Sequence, residues 1–590
     1  MQSLPGVPVV PRPSRVPLIV AACAVTVAIA LGTVLRLVDP LSSSVIPAED
    51  PYNHMALVRE HIRTGELNAL NEGETLYPPG LHAFLAAAWV YTGSDLYDLM
   101  RFGPVLFGAI GILGIAFLLW RTAGPVAGVV GAFAIAVAPE AIFRSTMMSP
   151  TALDLAVLPF FLYALLRILA GRIGYVGVAA PLAAFLAVAH PWLLAILCSA
   201  GAVFVLLLVA LPSKTTRATA ATVPGIAGLI AVLGGGLGLA LLMPNFGGTL
   251  NLPESAGLDR LGLALIALAL APALILLRWR RRDRAEAWLA RAPVHWITRT
   301  ALSLTIAAAL AATLLAARSN GFPALVDLPR MIGWPILVLA AAAAIALPFI
   351  PSPMAKLATA LAAVTLPFTI FNPMRSEFLP HRTIIFLCFA LVLLAGVAAG
   401  ALATAAASAW RTAAARSART STASPRVSRP WLAAAPALLV AVLASGSVYA
   451  GTPDGYPGGW YRLYNECELN ALREIADQAN ADPTLIVITG SWQSKLVLAA
   501  LIDDASRVWF KGDFFTSAEA RDDLVAQSDH AGVPLVVVAE RHLRGETPDA
   551  NLDFTASEPW QPAGAWCANL GMPQPRVTAF ATGDLPGRAA

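Results

Sequence analysis

The sequence predicts an α-helical polytopic membrane protein, with about thirteen transmembrane helices and a small C-terminal α/β domain. Three observations predict it. Of the 590 residues, 57% are hydrophobic and only 13% charged, where soluble proteins carry about 25% charged residues. The mean hydropathy is +0.68. Apolar stretches of the ~20 residues needed to cross a bilayer recur until a polar tail begins. These features exclude a disordered chain and a single soluble domain. The net charge of +4 is small and gathered on one side, which is a topology signal. No nucleic-acid partner is expected.

The candidate spans are 17–38, 99–120, 124–141, 153–170, 173–190, 192–212, 222–243, 260–277, 299–317, 333–350, 355–371, 383–408 and 431–450. Segment 81–93 is too short to span and lies between Pro78-Pro79-Gly80 and Asp95, so it reads as an interfacial or re-entrant helix. Charge then orients the chain. One set of loops holds Arg12, Arg15, Arg121, Arg172, Lys214, Arg217, the basic run 278–284, Lys356 and the arginines of 411–429. The opposite loop, 39–98, is rich in Asp and Glu. The positive-inside rule puts the N-terminus in the cytoplasm and the C-terminus outside. The first apolar stretch is long and shows no small-residue cleavage site, so it reads as an anchor.

Residues 1–451 are thus expected to form the transmembrane domain, with its first external loop at 39–98, and 452–590 an extracytoplasmic domain. In the tail, 484–489 and 533–538 are β-type apolar runs beside helix-compatible segments at 465–479 and 516–528. Cys467 and Cys567 are the only cysteines of the tail. An external compartment permits a disulfide between them, and two unpaired thiols are the alternative.

Charges at a membrane edge are expensive and so mark candidate sites. Glu49-Asp50-Pro51-Tyr52-Asn53-His54 follows the first span. A carboxylate in that rigid turn suits a general base on an acceptor hydroxyl, or an oxygen ligand for Mg or Mn; a solvated loop acid is the plain alternative. Tyr77-Pro78-Pro79-Gly80-Leu81-His82 stiffens the approach to the interfacial helix. His54, His61 and His82 match no standard zinc spacing. Glu140 and Arg144 are four apart and can pair on a helix, or Arg144 can meet a phosphate. Asp154 opens an apolar span, where it needs a cation, an arginine or a water-filled cavity. Arg375, His381 and Arg382 precede the twelfth span and suit a lipid phosphate or ordinary headgroups. His190-Pro191-Trp192 is a weaker member of this set.

Together these residues resemble the GT-C class of membrane glycosyltransferases. Asp50-Pro51-Tyr52 followed by Tyr77-Pro78-Pro79-Gly80 is similar to the catalytic subunit of oligosaccharyltransferases, whose first external loop carries an Asp-Pro-Tyr sequence. Residues 126–145 resemble that family's third span, which ends in a Pro and an Arg-Ser before a second acidic motif. The arrangement also resembles uncharacterised actinobacterial GT-C-like membrane proteins. The resemblance implies a GT-C-like fold, a polyprenyl-phosphate sugar donor, a glycan or lipid acceptor in the cell envelope, and surrounding membrane lipids. It makes Asp50, beside Glu49, the catalytic or metal-binding acid and Asp154 the counterpart of the second acidic motif. Arg382, with Arg375, His381 and Arg144, becomes the donor-phosphate set, and Tyr52, His54, Tyr77 and His82 fall on the substrate side.

Two departures narrow this reading. The second motif should hold two acids one residue apart, but Ser149-Pro150-Thr151 stands there and Asp154 comes late and alone. The tail lacks a Trp-Trp-Asp motif, with Gly490-Ser491-Trp492-Gln493 a remote analogue. Both argue against protein N-glycosylation and toward a metal-independent enzyme with Asp50 as base, Mg or Mn on Asp50 and Asp154 being the other version. A flippase for a lipid-linked precursor and a non-catalytic envelope scaffold are the rival functions.

Overall fold

The computed structural model describes residues 15–48, 50–65, 78–210, 223–242, 299–308, 323–350, 352–370, 379–418, 464–540, 560–567 and 577–582. The expected spans at 260–277 and 431–450 lie outside these residues, and 299–317 is described only over 299–308, which is helical.

The first half of the chain is a helical bundle: α1 (Arg15–Ser42), α2 (Asp50–Thr64), α3 (Pro79–Thr92), α4 (Leu96–Ala123), α5 (Pro125–Val137), α6 (Pro139–Arg144), α7 (Pro150–Leu169), α8 (Val176–Ala189), α9 (Pro191–Ala210) and α10 (Val223–Leu242). It continues with α11 (Pro323–Ile332), α12 (Trp334–Ile345), α13 (Pro353–Ile370) and α14 (Leu379–Ala418). Among the described residues, six helices are long and apolar enough to cross a membrane: α1, α4, α7, α9, α13 and α14. α5, α8, α10 and α12 contain shorter apolar helices. The segment expected at the membrane surface is α3, with Pro79 at its first turn and a left-handed Gly93 closing it. It packs on α2 and α8 rather than crossing the bundle. A Cβ at Gly80 would stand 2.7 Å from the Ala189 backbone nitrogen, so this close approach of α3 to α8 needs glycine.

The span expected at 124–141 is corrected by the structure. It breaks at Ala138 into α5 and α6, because Pro139 has no N–H for the carbonyl of Ile135. Arg36 of α1 fills the gap. Its guanidinium is 1% exposed and donates to the carbonyls of Ile135 (3.1 Å), Ala136 (3.0 Å) and its own Gly32 (2.9 Å). Its Nε donates to Ser145 Oγ at 2.5 Å. A cation at a helix C-terminus is favourable, and a fork of donors matches adjacent carbonyls. Gly108 of α4 makes room: a Cβ there would lie 2.5 Å from Arg36 Nε.

Beyond the bundle come α15 (Glu466–Ala481), β1 (Ile486–Thr489), α16 (Trp492–Leu501), β2 (Val508–Phe510), α17 (Gly512–Thr516), α18 (Ala518–Ala531), β3 (Leu535–Glu540), β4 (Gln561–Trp566) and β5 (Val577–Ala581). Asn465 and Glu468 form a reciprocal capping box that starts α15. The sheet has order β2-β1-β3-β5-β4, with β1 parallel to β2 and β3, and β5 antiparallel to β3 and β4. The apolar runs at 484–489 and 533–538 are β1 and β3. A disulfide joins Cys467, on α15, to Cys567, just after β4.

This α/β unit does not stand apart from the bundle. One apolar core holds Ile46, Tyr52 and Met55 with Leu81 and Leu85 of α3, and also Leu472, Val497 and Val536 of the tail. Arg59–Asp503 at 3.1 Å and Arg63–Asp504 at 3.5 Å trim the edge. Such exposed pairs contribute little, so buried apolar area supplies most of the docking energy.

Replacing Arg36 by Met should cost about 3 kcal/mol or more, because two helix-end carbonyls lose their donors inside the bundle. Denaturant unfolding of the detergent-solubilised protein, set beside an exposed Arg→Met control, checks it.

Candidate functional site

The first loop is held by side chains that the apolar pattern does not reveal. Tyr97 Oη donates to the Ser44 carbonyl at 2.6 Å, and Tyr52 Oη accepts from the Ile46 backbone N–H at 3.3 Å. Burial keeps the Tyr52 phenol protonated well above its ordinary range. Ala48 then takes the left-handed conformation, φ 63°. Its side chain is buried in the main core of the bundle, whereas Ile46 and Tyr52 belong to the core shared with the tail. This strained residue sits between two anchors and turns the chain so that Asp50 begins α2 with its side chain exposed. Asp50 therefore stands where the bundle meets the α/β unit. Glu49 and Tyr77 lie outside the described residues.

His54 and His82 come together, but inside the core. His54 Nδ1 lies 2.9 Å from His82 Nε2, and both side chains are buried. Burial pushes His54 down to about 4. Burial also lowers His82, with His54 and His61 adding to it. The pair is a neutral internal hydrogen bond joining α2 to α3.

Glu140 and Arg144 form a buried ion pair at 2.9 Å, with the guanidinium 5.2 Å from the Phe143 ring. The pair occupies the short helix that follows the Pro139 break. Asp154 also finds a partner. It is 1% exposed and hydrogen-bonded to His190 Nδ1, at the turn between α8 and α9. The signal for this pairing was His190-Pro191-Trp192 at the end of one apolar stretch and the start of the next. The signal for Arg36 is a lone guanidinium in an apolar span.

The His190 ring lies 5.8 Å from Phe386 of α14, and the Trp192 ring 6.0 Å from Phe368 of α13. α13 and α14 are tied at this end by Thr369 and Thr383, 3.0 Å apart. Arg382 stands one helical turn before Phe386 in α14. Arg375 and the side chains of His381 and Arg382 lie outside the described set. The start of α14 lies at the same end of the bundle as Asp154, His190 and α3, because Phe386 meets His190, and Ala189, next to His190, packs in the core that holds Leu81.

No three His, Cys, Asp or Glu side chains among the described residues are grouped to hold a metal ion. Asp154 uses Oδ2 for its bond to His190, and Oδ1 meets no donor among the described residues.

Neither a protein-family profile nor a curated protein sequence matches the chain. Solved structures do match in shape. The oligosaccharyltransferase AglB of Archaeoglobus fulgidus, in complex with an inhibitory peptide and a dolichol-phosphate, aligns with 88% of this chain and 69% of its own, with TM-score 0.56 and 15% identity. The Archaeoglobus fulgidus oligosaccharyltransferase in complex with Zn and sulfate gives 88% and 68%, TM-score 0.56 and 14% identity. This chain has a GT-C-like fold. ArnT from Cupriavidus metallidurans in the apo state aligns over 97% of this chain and 99% of its own, with TM-score 0.49 and 16% identity.

The buried histidines set a pH dependence of stability. Folded, His54 is neutral down to about 4, whereas an unfolded His takes up a proton near 6.5. The unfolded chain binds more protons in that window, so stability falls as pH drops from about 6.5 toward 4. The thermal midpoint in detergent should be lower at pH 5 than at pH 7.5, and His54→Gln should flatten that difference. An undiminished difference in the variant would assign the effect to other groups.

Proposed function

We propose that this protein is an integral-membrane glycosyltransferase. It moves a sugar from a polyprenyl-phosphate-linked donor to a glycan or lipid acceptor of the cell envelope. The observation that carries this reading is the convergence at one end of the bundle. An exposed carboxylate, Asp50, is fixed at the seam with the α/β unit. α13 ends and α14 begins at that same end, and the sequence between Ile370 and Thr383 carries Arg375, His381 and Arg382. The GT-C-like fold supports it, as does the dolichol-phosphate held by AglB, a lipid phosphate of the class proposed here.

The chemistry follows from charge development. Asp50 takes the proton of an acceptor hydroxyl as its oxygen attacks the anomeric carbon. The bond from that carbon to the phosphate oxygen breaks, and the lipid phosphate leaves with the electron pair. Arg382, with Arg375 and His381, meets the growing negative charge on the phosphate. Attack opposite to the leaving group inverts the anomeric centre. The lone Asp154, in place of a two-acid motif, favours metal-independent catalysis with Asp50 as base over a cation on Asp50 and Asp154. The N-terminus is cytoplasmic in this reading and the α/β unit extracytoplasmic, where a disulfide persists.

Asp50→Asn should lower transfer by about 10²–10⁴-fold while expression and melting stay at wild-type level, since the residue is exposed. Release of polyprenyl phosphate from a panel of polyprenyl-phosphate sugars reads it, and full activity in the variant removes Asp50 from the mechanism.

A further inference from the structure

We propose that His190 and Trp192 are direct hydrogen-bond donors to the phosphate of the lipid-linked donor. The subsite lies where the first turn of α9 meets the ends of α13 and α14. This rests on the glycosyltransferase reading and adds two residues, and a positioning carboxylate behind them, to its phosphate site.

Four observations carry it. First, Asp154 has a side chain 2% exposed and hydrogen-bonds His190 Nδ1, while the His190 side chain is 13% exposed. The carboxylate is thus screened behind the ring, and the ring keeps a partly exposed edge. Second, the pair's charge state is constrained. A net negative charge this deep in an apolar bundle is costly, so the pair holds two protons. One lies between Asp154 and Nδ1. The other is on Nε2, whichever partner owns the shared proton. Nε2–H is then a donor available to a ligand at this end of the bundle. Asp154 Oδ1 meets no donor among the described residues, so the carboxylate serves His190.

Third, the indole N–H of Trp192 meets no acceptor among the described residues, although the residue is only 7% exposed. A buried donor without an acceptor destabilises a protein that gains nothing from it. An arriving oxygen would remove that penalty. Fourth, both rings face the same pair of helices. His190 meets Phe386 on α14, Trp192 meets Phe368 on α13, and Thr369 and Thr383 tie those two helices together. The segment joining them carries Arg375, His381 and Arg382. His190, at the end of α8, and Trp192, in the first turn of α9, therefore offer two donors beside the ends of α13 and α14, as a tetrahedral anion with several acceptor oxygens requires. Asp154 acts here through His190 and is a positioning residue.

Binding of undecaprenyl monophosphate to the purified full-length protein in detergent tests it, with inorganic phosphate and phosphatidylglycerol as competitors. His190→Ala should weaken binding about tenfold, and His190→Gln, whose amide can still donate, should recover part of the loss. Trp192→Phe keeps the ring against Phe368 and removes only the N–H. It should weaken binding about threefold and leave the ligand-free melting midpoint equal to wild type or higher. In turnover, KM for the lipid donor should rise more than kcat falls in Trp192→Phe. Wild-type affinity in both His190→Ala and Trp192→Phe would overturn the subsite while leaving the glycosyltransferase reading intact. No binding by the wild-type protein would overturn both. Inorganic phosphate or phosphatidylglycerol competing as well as undecaprenyl monophosphate would show a general anion site and overturn the assignment to the lipid donor.

Discussion

The structure turns on one guanidinium inside the bundle. Pro139 deprives a helix-end carbonyl of its partner in a place where water cannot supply one. Arg36 supplies it, reaching from α1 across the space that Gly108 leaves open. The same side chain holds Ser145 through Nε. One residue thereby joins α1, the end of α5 and the residue after α6. The break it stabilises is what lets the chain leave the axis of α5, place the Glu140–Arg144 pair, and start α7 with Asp154 facing α8 and α9.

A second constraint acts at the end of the bundle that carries the sheet. α2 and α3 are too short to be stable alone, and each buries an apolar face. Their partner is the tail, which contributes α15, α16 and residues of all five strands to one continuous core. The disulfide between Cys467 and Cys567 closes the tail on itself, so it presents a preformed surface to α2. Rigid placement of Asp50 follows from this packing. The residue lies between Ala48, anchored in the bundle, and Tyr52, anchored in the shared core.

The polar residues at this end of the bundle divide by what burial does to them. His54 and His82 are taken inside, joined to each other, and act as a neutral link between two helices. Asp154 is taken inside as well, but its partner His190 stays partly exposed. Asp50 stays exposed. A set of titratable residues that look alike in sequence thus separates into structural links, a support and an exposed acid, according to the depth at which each is held.

Apolar length and charge asymmetry determined the helical membrane architecture, because a bilayer imposes its thickness on any sequence that crosses it. Short β-branched runs determined β1 and β3, and the Pro-Pro-Gly beside 81–93 determined a helix too short to span. β4, Gln561-Pro562-Ala563-Gly564-Ala565-Trp566, has no such signature and exists only through its pairing with β5. The break of the third apolar stretch was legible in Pro139, but its bridge to Arg36, 99 and 100 residues away from the carbonyls it serves, was not. Nor were the pairings Asp154–His190 and His54–His82, nor the docking of the tail on α2. These join residues far apart in the chain, and local pattern carries no record of which distant group will satisfy a buried charge. Only the packed bundle decides that, since the energy at stake is set by burial that exists once the helices have met.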